Sequence, residues 1–541
     1  MARASATRLA RAFRLSAIRS ARSLSSSCIA ARSMPCWQIV GLHSNKPVAT
    51  GPTAPLAFAS SETAGAQMAM HPTTPDPFLF PSEDERAALD TQLGARLRQA
   101  RRAVSGGRVT PSGDRAEFRR TLAGFDFARP RPPAEAAAWA IAALEGGLVH
   151  MTHPRYFGLF NPAPTFPAEM ADRIVAAFNP QLAVWSHAPA AVEIEAHVIR
   201  AVAARAGLPS GSGGHFTAGG AEANFTGLIC ALTAAEPGFG EDGVRAYTGL
   251  PVFYASRESH LAWLKIAHQA GIGRQAVRLI ATDGGGRMDP AALERAIVAD
   301  RAGGAVPVMV AATAGTTNAG MVDPLPACAA VAARHGLWFH VDAAWAGALI
   351  ASPRHAGALA GLERADSATI DAHKWFATTM GCGMFLTSQP RIPADAFQVS
   401  TDYMPSNEPA TDPYVGSVQW SRRFVGLRLF LSLAAAGWAG YATHVERAIG
   451  LAARLADALR AGGWRVVNDS PCAVVCAVPP TGEGSIGAIV DRVVASGEAW
   501  VSATRLEGRA VLRACITHGE TAAEDVDRLA AMLNAQEQAI A

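Results

Sequence analysis

Lysine is nearly absent from this sequence. Its 541 residues carry 48 basic side chains, and only Lys46, Lys265 and Lys374 of these are lysines. Arginine stays protonated in proteins, so a chemistry that needs a free amine has three places to go. Paired Cys-x-x-Cys spacing is missing as well. Cys28, Cys36, Cys230, Cys328, Cys382, Cys472, Cys476 and Cys515 are scattered, which argues against a zinc site and fits a reduced, intracellular protein. No apolar run reaches the length of a membrane span without a charge or a Gly/Pro interruption, so no membrane partner is expected. Acidic residues are absent before Glu62. Residues 1–61 hold seven Arg and one Lys against a formal charge of +3 for the whole chain, so the remainder is net acidic and gives no reason to invoke nucleic acid.

Half of the residues are hydrophobic and 17% are charged, the balance of a globular enzyme long enough for two or three domains. The Arg- and Ser-rich leader, residues 1–75, is set apart from the fold and expected to be disordered. It reads either as a mitochondrial transit peptide or as a mis-assigned start with Met68 or Met70 as the true one. The second reading puts the protein in the cytoplasm, the first in the mitochondrion. Residues 76–205 read as a helical segment. It includes a helix over 83–102 and, after the break at Arg129-Pro-Arg-Pro-Pro133, another over 134–145. Residues 206–430 alternate strand and helix signals, the pattern of an α/β domain. A smaller domain, 431–541, opens on a long helix from Phe430 and continues strand–helix–strand–helix. Thr521-Ala-Ala-Glu524 is a capping-box pattern for its last helix.

Lys374 stands in Asp371-Ala-His-Lys-Trp375, after a strand over 367–370. An amine held there can form a Schiff base with an aldehyde cofactor. Upstream, Gly213-Gly-His-Phe-Thr-Ala-Gly-Gly-Ala-Glu-Ala-Asn224 runs into an apolar helical stretch. A glycine pair before a helix N-terminus lets backbone amides approach a phosphate, although an ordinary Gly-rich turn has the same look. Leu337-Trp-Phe-His-Val-Asp342 is a strand with a carboxylate at its C-terminal end, where open α/β sheets bind ligands; a helix cap is the alternative for Asp342. His260 follows a strand over 251–256. Another strand, 306–312, leads into Thr313-Ala-Gly-Thr-Thr317.

In this order, and over about residues 150 to 530, these segments resemble the pyridoxal-phosphate (PLP)-dependent group II amino-acid decarboxylases, the family of aromatic-amino-acid, glutamate and diaminobutyrate decarboxylases. Asp-Ala-His-Lys-Trp is similar to that family's Asn-Pro-His-Lys-Trp. His153-Pro-Arg-Tyr-Phe157 resembles its His-Pro-x-Phe-Phe, Trp185 to Glu195 its Trp-x-x-Ser-Pro-Ala-x-Thr-Glu-Leu-Glu, and Asp342-Ala-Ala-Trp-Ala-Gly347 its Asp-Ala-Ala-Tyr-x-Gly. The resemblance implies roles for matched residues. Lys374 would hold the cofactor beside His373. Gly219, Gly220 and Ala221 would take the phosphate, His260 would stack on the pyridine ring, and Thr316 would meet the 3′-oxygen. Asp342 would pair with the pyridine nitrogen above Ala344. Tyr156, Phe157 and Phe160 are candidates to line the substrate pocket, and Arg513, in Val511-Leu-Arg-Ala-Cys-Ile516, to bind the α-carboxylate. A surface ion pair is the alternative for Arg513.

The implied fold is a fold-type I PLP enzyme of the aspartate-aminotransferase kind. It has a large, mostly parallel seven-stranded sheet domain and a smaller C-terminal α/β domain, assembled as a homodimer. The implied reaction is decarboxylation of an L-amino acid to the amine and carbon dioxide. The apolar 157–160 segment and Trp185 lean towards an aromatic or bulky substrate. In the family a tyrosine on a mobile loop returns a proton to the substrate carbon. Tyr414 is the candidate, within the Pro-rich stretch 402–419, although alignment back from Arg422 puts Pro413 at that position. Two rivals stand: an aldehyde synthase or aminotransferase on the same cofactor, and a non-catalytic PLP-binding protein.

Overall fold

The computed structural model describes residues 76–111, 113–399 and 412–541. The leader, its alternative starts, Lys46 and the 400–411 part of the Pro-rich stretch lie outside the described residues.

Seven strands form the large sheet: β1 (Gly213–Thr217), β2 (Pro251–Ser256), β3 (Val277–Ile280), β4 (Val306–Thr313), β5 (Trp338–Asp342), β6 (Ser367–Asp371) and β7 (Gly383–Thr387). Their order is β1-β7-β6-β5-β4-β2-β3. Neighbours from β6 to β3 pair in parallel, and β7 runs antiparallel to both β1 and β6. The mostly parallel seven-stranded sheet expected from the sequence is therefore present. Strands of such a sheet are covered on both faces and read as continuous apolar runs. Accordingly β2, β5, β6 and β7 are buried at every position. The register sets Thr313 opposite Asp342 and Asp342 opposite Thr369. The C-terminal ends of three adjacent strands thus bring Thr313, Asp342 and Asp371 to one edge, the edge where open α/β sheets take ligands.

A second sheet has the order β10-β11-β9-β8 and consists of β8 (Arg465–Val466), β9 (Val474–Val478), β10 (Ser502–Leu506) and β11 (Arg509–Cys515). All its pairings are antiparallel. The sequence pattern suggested two strands alternating with helices, and the structure has four. The two strands not read are β8, which pairs with β9, and β10, which forms a hairpin with β11. Glu507 (φ 50°) and Gly508 (φ 78°) make a two-residue turn with both central residues left-handed, the geometry that matches strand twist. The capping expectation at Thr521 also shifts. The last helix is Ala523–Gln538, and the Asp525 carboxylate accepts from the Ala522 amide (2.9 Å), while the Thr521 hydroxyl donates to the Pro154 carbonyl (2.6 Å). The long helix Leu427–Ala461 is interrupted at Gly437 (φ 61°, ψ −179°).

Before the large sheet, helix Glu83–Gly106 opens on a Ser82/Glu85 capping box, and helix Pro133–Gly147 starts on its proline. No residue of helix Glu83–Gly106 is buried. Among the described residues no helix is long and apolar enough to cross a membrane, and no cluster of His, Cys, Asp or Glu could hold a metal ion.

Candidate active site

A cavity opens at the strand ends. Of the candidates singled out in the sequence, Phe160, Gly220, Ala221, His260, Asp342, Ala344 and Lys374 border it. Lys374 follows β6 by three residues, and its Nζ lies 3.0 Å from Asp371 Oδ2. Asp371 is 2% exposed, and its Oδ1 has no hydrogen-bond partner among the described residues. Asp342 accepts from Asn224 Nδ2 (2.8 Å, to Oδ2) and from the Ala344 amide (3.2 Å, to Oδ1). His260 Nδ1 accepts from the Ala262 amide (3.1 Å), which leaves Nε2 to carry the proton of the neutral ring.

Helix Gly220–Ala235 begins at this rim. Gly219 is its N-cap, at φ 157°, and the first intrahelical bond runs from the Glu222 amide to the Gly219 carbonyl. The amides of Gly220 and Ala221 therefore stand outside the ladder. A Cβ added to Gly220 would come within 2.8 Å of Asp371 Oδ2 and 3.3 Å of Ala344 Cβ. The turn is a cradle that only glycine leaves open.

Other candidates stand back from the cavity. His373 packs beside Gly219 and is held to the residue just before β7, with Nδ1 3.0 Å from the Cys382 carbonyl. Thr316 is buried, and its hydroxyl oxygen accepts from the Met321 amide (3.0 Å); Thr313 and Thr317 border the cavity instead. Tyr156 and Phe157 belong to the core. The Phe157 amide donates to the Trp500 carbonyl and its carbonyl accepts from the Cys515 amide, so the segment is stitched between Trp500, just before β10, and the end of β11. Tyr156 lies against the Trp500 ring at 5.2 Å. Arg513 is 2% exposed. It donates to the Gly158 carbonyl (2.6 Å) and the Thr317 carbonyl (3.1 Å) and sits 4.8 Å over the Phe160 ring, while its Nη2 has no partner among the described residues. Tyr414 is packed away from the cavity among Ala183, Val184, Val415 and Trp420.

Sequence reasoning passed over Asn224, Asp371, Thr313, Gly315, Thr317 and Trp345 as site residues, though all lie in the motifs it quoted. The signal for Asn224 is its position four residues after Gly220, one helical turn into the helix that starts at the rim. Outside the cavity, the Trp185–Glu195 motif has a structural use. Glu195, 5% exposed, binds Arg422 Nη2 and the Gly426 amide, both at 2.9 Å, and so ties helix Pro189–Arg205 to the entry of helix Leu427–Ala461.

Pyridoxal phosphate suits these residues on three counts. The Gly220 cradle and its two free amides fit a phosphate, a lysine stands at the rim for the aldehyde, and a buried carboxylate at the end of β5 fits the pyridine nitrogen.

The model of the pyridoxal-dependent decarboxylase conserved domain matches residues 140–477. Tryptophan decarboxylase 1 of Oryza sativa subsp. japonica is 31% identical over 425 residues, 72% of this chain and 82% of its own length. Cysteine sulfinic acid decarboxylase of Mus musculus is 35% identical over 342 residues, 61% of this chain and 69% of its own. Among solved structures, Oryza sativa TDC with PLP and tryptamine superposes with a TM-score of 0.81 at 26% identity, over 86% of this chain and 100% of that one. The matched region spans well over half of the chain and contains every residue that borders the cavity. The chain belongs to the pyridoxal-dependent decarboxylases, carboxy-lyases whose cofactor is pyridoxal 5′-phosphate.

Proposed function

We propose that this chain decarboxylates an L-amino acid with an aromatic or other bulky side chain, giving the amine and carbon dioxide. The observation that carries the reading is the aromatic wall of the cavity. Phe160 and Trp345 both border it and stack at 4.2 Å, and Trp345 continues onto Trp375 at 5.8 Å. An acidic side chain would want a second cation. Among the described lining residues Lys374 is the only Lys or Arg, and the cofactor claims it. The names of the relatives divide between tryptophan and cysteine sulfinic acid, and the aromatic wall favours the first kind.

Bound at this site, pyridoxal phosphate supplies a ring that takes up the electron pair left when carbon dioxide departs. In our reading the Lys374 amine holds its aldehyde carbon. The amides of Gly219, Gly220 and Ala221 hold the phosphate at the helix N-terminus. Asp342 favours the charged, protonated form of the pyridine nitrogen. His260 offers a flat ring face, and Arg513 donates Nη2 to the substrate α-carboxylate.

A homodimer belongs to the same proposal. Helix Glu83–Gly106 is 24 residues long without a buried side chain, and Phe78, Leu79 and Phe80 just before it are exposed. The helix packs along one side, on helix Pro133–Gly147; a helix so thinly covered is marginal in water, and a second copy is its natural further partner.

A second reading, oxidative formation of an aldehyde with dioxygen as the two-electron acceptor, which leaves as peroxide while the amine nitrogen leaves as ammonia, is favoured by the placement of Tyr414 in an apolar cluster away from the cavity. One experiment separates the two. Purified, PLP-loaded protein is assayed against a panel of L-amino acids for carbon dioxide and peroxide in the same wells. Carbon dioxide without peroxide supports the decarboxylase and names its substrate. Equal amounts of both support the aldehyde synthase, and release from no amino acid sinks both.

A further inference from the structure

Behind Asp342 runs a chain of buried polar side chains that none of the roles above uses. Trp338 Nε1 lies 2.8 Å from Ser367 Oγ, Ser367 Oγ 2.8 Å from His340 Nδ1, His340 Nε2 3.0 Å from Asn224 Oδ1, and Asn224 Nδ2 2.8 Å from Asp342 Oδ2. All five residues are buried, His340 and Ser367 at 0% exposure.

The two ends fix the direction of every bond between them. An indole N–H can only donate, and an ionised carboxylate can only accept. From the Trp338 end, Ser367 accepts from the indole, and its hydroxyl proton has His340 Nδ1 as its acceptor. Nδ1 is then unprotonated and the proton of the ring sits on Nε2. From the Asp342 end, Asn224 must turn its NH₂ to the carboxylate. Its carbonyl therefore faces His340, and that carbonyl again demands a proton on Nε2. The two deductions meet at the same tautomer. Burial supports a neutral ring, holding His340 down at about 4, with Asp342 opposing in part. The ring is also clamped. Trp263 packs edge-on at 5.6 Å, and a Cβ on Gly227 would come within 2.8 Å of Nδ1. That accounts for a glycine in the middle of helix Gly220–Ala235, where it costs about 1 kcal/mol relative to alanine.

We propose that His340 is a positioning residue for the reaction: through Asn224 it orients the Asp342 carboxylate and thereby keeps the cofactor's pyridine nitrogen protonated. The proposal rests on the reading that Asp342 meets that nitrogen. A ring with its proton on Nδ1 would oppose a lone pair to the Asn224 carbonyl, turn the amide over and set its oxygen against Asp342. The one-way chain prevents this.

The test reconstitutes the apoprotein with pyridoxal phosphate labelled with ¹⁵N in the ring and reads the ring-nitrogen chemical shift and the cofactor dissociation constant. The wild type should show the protonated ring. His340→Phe should move the shift towards neutral pyridine and weaken cofactor binding about tenfold, the scale of one lost hydrogen bond to a charged group. His340→Gln, whose amide can still donate to Asn224, should keep the wild-type shift. Ser367→Ala, a smaller change three links from Asp342, should move the shift in the same direction and stands in if His340→Phe does not fold. A wild-type shift and dissociation constant in a folded His340→Phe or Ser367→Ala protein overturn the proposal. Asp342→Asn separates the two readings. If it leaves the shift unmoved, the pairing of Asp342 with the ring falls. If it moves the shift while the His340 and Ser367 variants do not, the relay alone falls.

Discussion

Lys374 Nζ and Asp371 Oδ2 are 3.0 Å apart, three residues from one another where β6 gives way to the turn. The carboxylate is almost wholly buried and the amine about one-fifth exposed. Removing either partner leaves the other charged and poorly solvated. Asp371→Ala should therefore destabilise the apoprotein by about 1.5–3 kcal/mol, the range for a charged hydrogen bond. In a Lys374→Ala background the same change should cost far less, because the charge it answers is gone. Urea melts of the four proteins of this cycle measure the coupling, and a coupling near zero would mean the contact is incidental. Borohydride reduction of the holoenzyme should also fix the cofactor to a peptide containing Lys374, and no peptide of Lys374→Ala should be tagged.

The cradle under the helix N-terminus gives a sharper expectation. A methyl group on Gly220 meets Asp371 Oδ2 at 2.8 Å and Ala344 Cβ at 3.3 Å, so the cradle at the helix start must shift to admit it. Gly220→Ala should weaken cofactor binding by about tenfold or more, with little change in the far-ultraviolet spectrum, since alanine suits a helix start. Fluorescence titration of the apoprotein with pyridoxal phosphate would read this directly. Unchanged affinity would place the phosphate elsewhere.

Much of this was legible in the sequence, for identifiable reasons. Strands buried on both faces announce themselves as apolar runs, and β2 runs from Pro251 to Ser256 as read. Lys374 stood out because lysine is so rare. The less legible features are those in which residue type is ambiguous. Tyr156, Phe157 and Phe160 look alike as aromatics. Only the stitching of the first two to Trp500 and Cys515 separates core from cavity wall. The hairpin at Glu507-Gly508 was missed because β10 is half exposed and lacks an apolar run. The Asn224–His340–Ser367 chain joins residues more than a hundred positions apart, and no local pattern carries such a juxtaposition.

Tyr414 tests how far the resemblance extends. Its ring packs on Trp420 at 4.9 Å, and its amide donates to the Ala183 carbonyl (3.1 Å). Tyr414→Phe should leave carbon dioxide release within about threefold and the ratio of peroxide to carbon dioxide unchanged, because the lost hydroxyl sits in an apolar cluster away from the cavity and the ring that packs there is kept. A loss of a hundredfold, or a switch from amine to aldehyde, would restore the tyrosine to the role of proton donor.

Asp323 gives the fold a pH dependence of its own. Both carboxylate oxygens accept backbone amides, Met288 N at 2.8 Å and Thr313 N at 2.7 Å, yet burial dominates and pushes the group up to about 6. A carboxyl raised in the folded state binds its proton more tightly there than in the unfolded chain. Its contribution is full below the ordinary value of 3.8 and is lost as pH rises through about 6. The span corresponds to a loss on the order of 3 kcal/mol. His340, held down at about 4, works in the opposite sense, so the test is a difference. Asp323→Asn should be less stable than wild type at pH 4, and the gap between the two should narrow as pH rises to 7. A gap that widens or stays constant would contradict the assignment.

In the proposed reading Arg513 brings a fixed donor to the substrate. Two backbone carbonyls, from Gly158 and Thr317, hold the guanidinium in place, and the remaining Nη2 is buried without a partner among the described residues. A buried donor left unmet costs free energy, and a substrate carboxylate would meet it with a charge-assisted bond. Arg513→Met removes that donor together with both carbonyl contacts. It should raise KM for the amino acid about tenfold or more. Arg513→Lys should not rescue it, because an ammonium has no planar fork to serve two carbonyls and a carboxylate at once. The dissociation constant of pyridoxal phosphate should stay near the wild-type value in both variants, which separates loss of a substrate contact from general disorder of the site. If instead cofactor affinity falls in step with KM, Arg513 supports the architecture around Phe160 and does not bind the substrate.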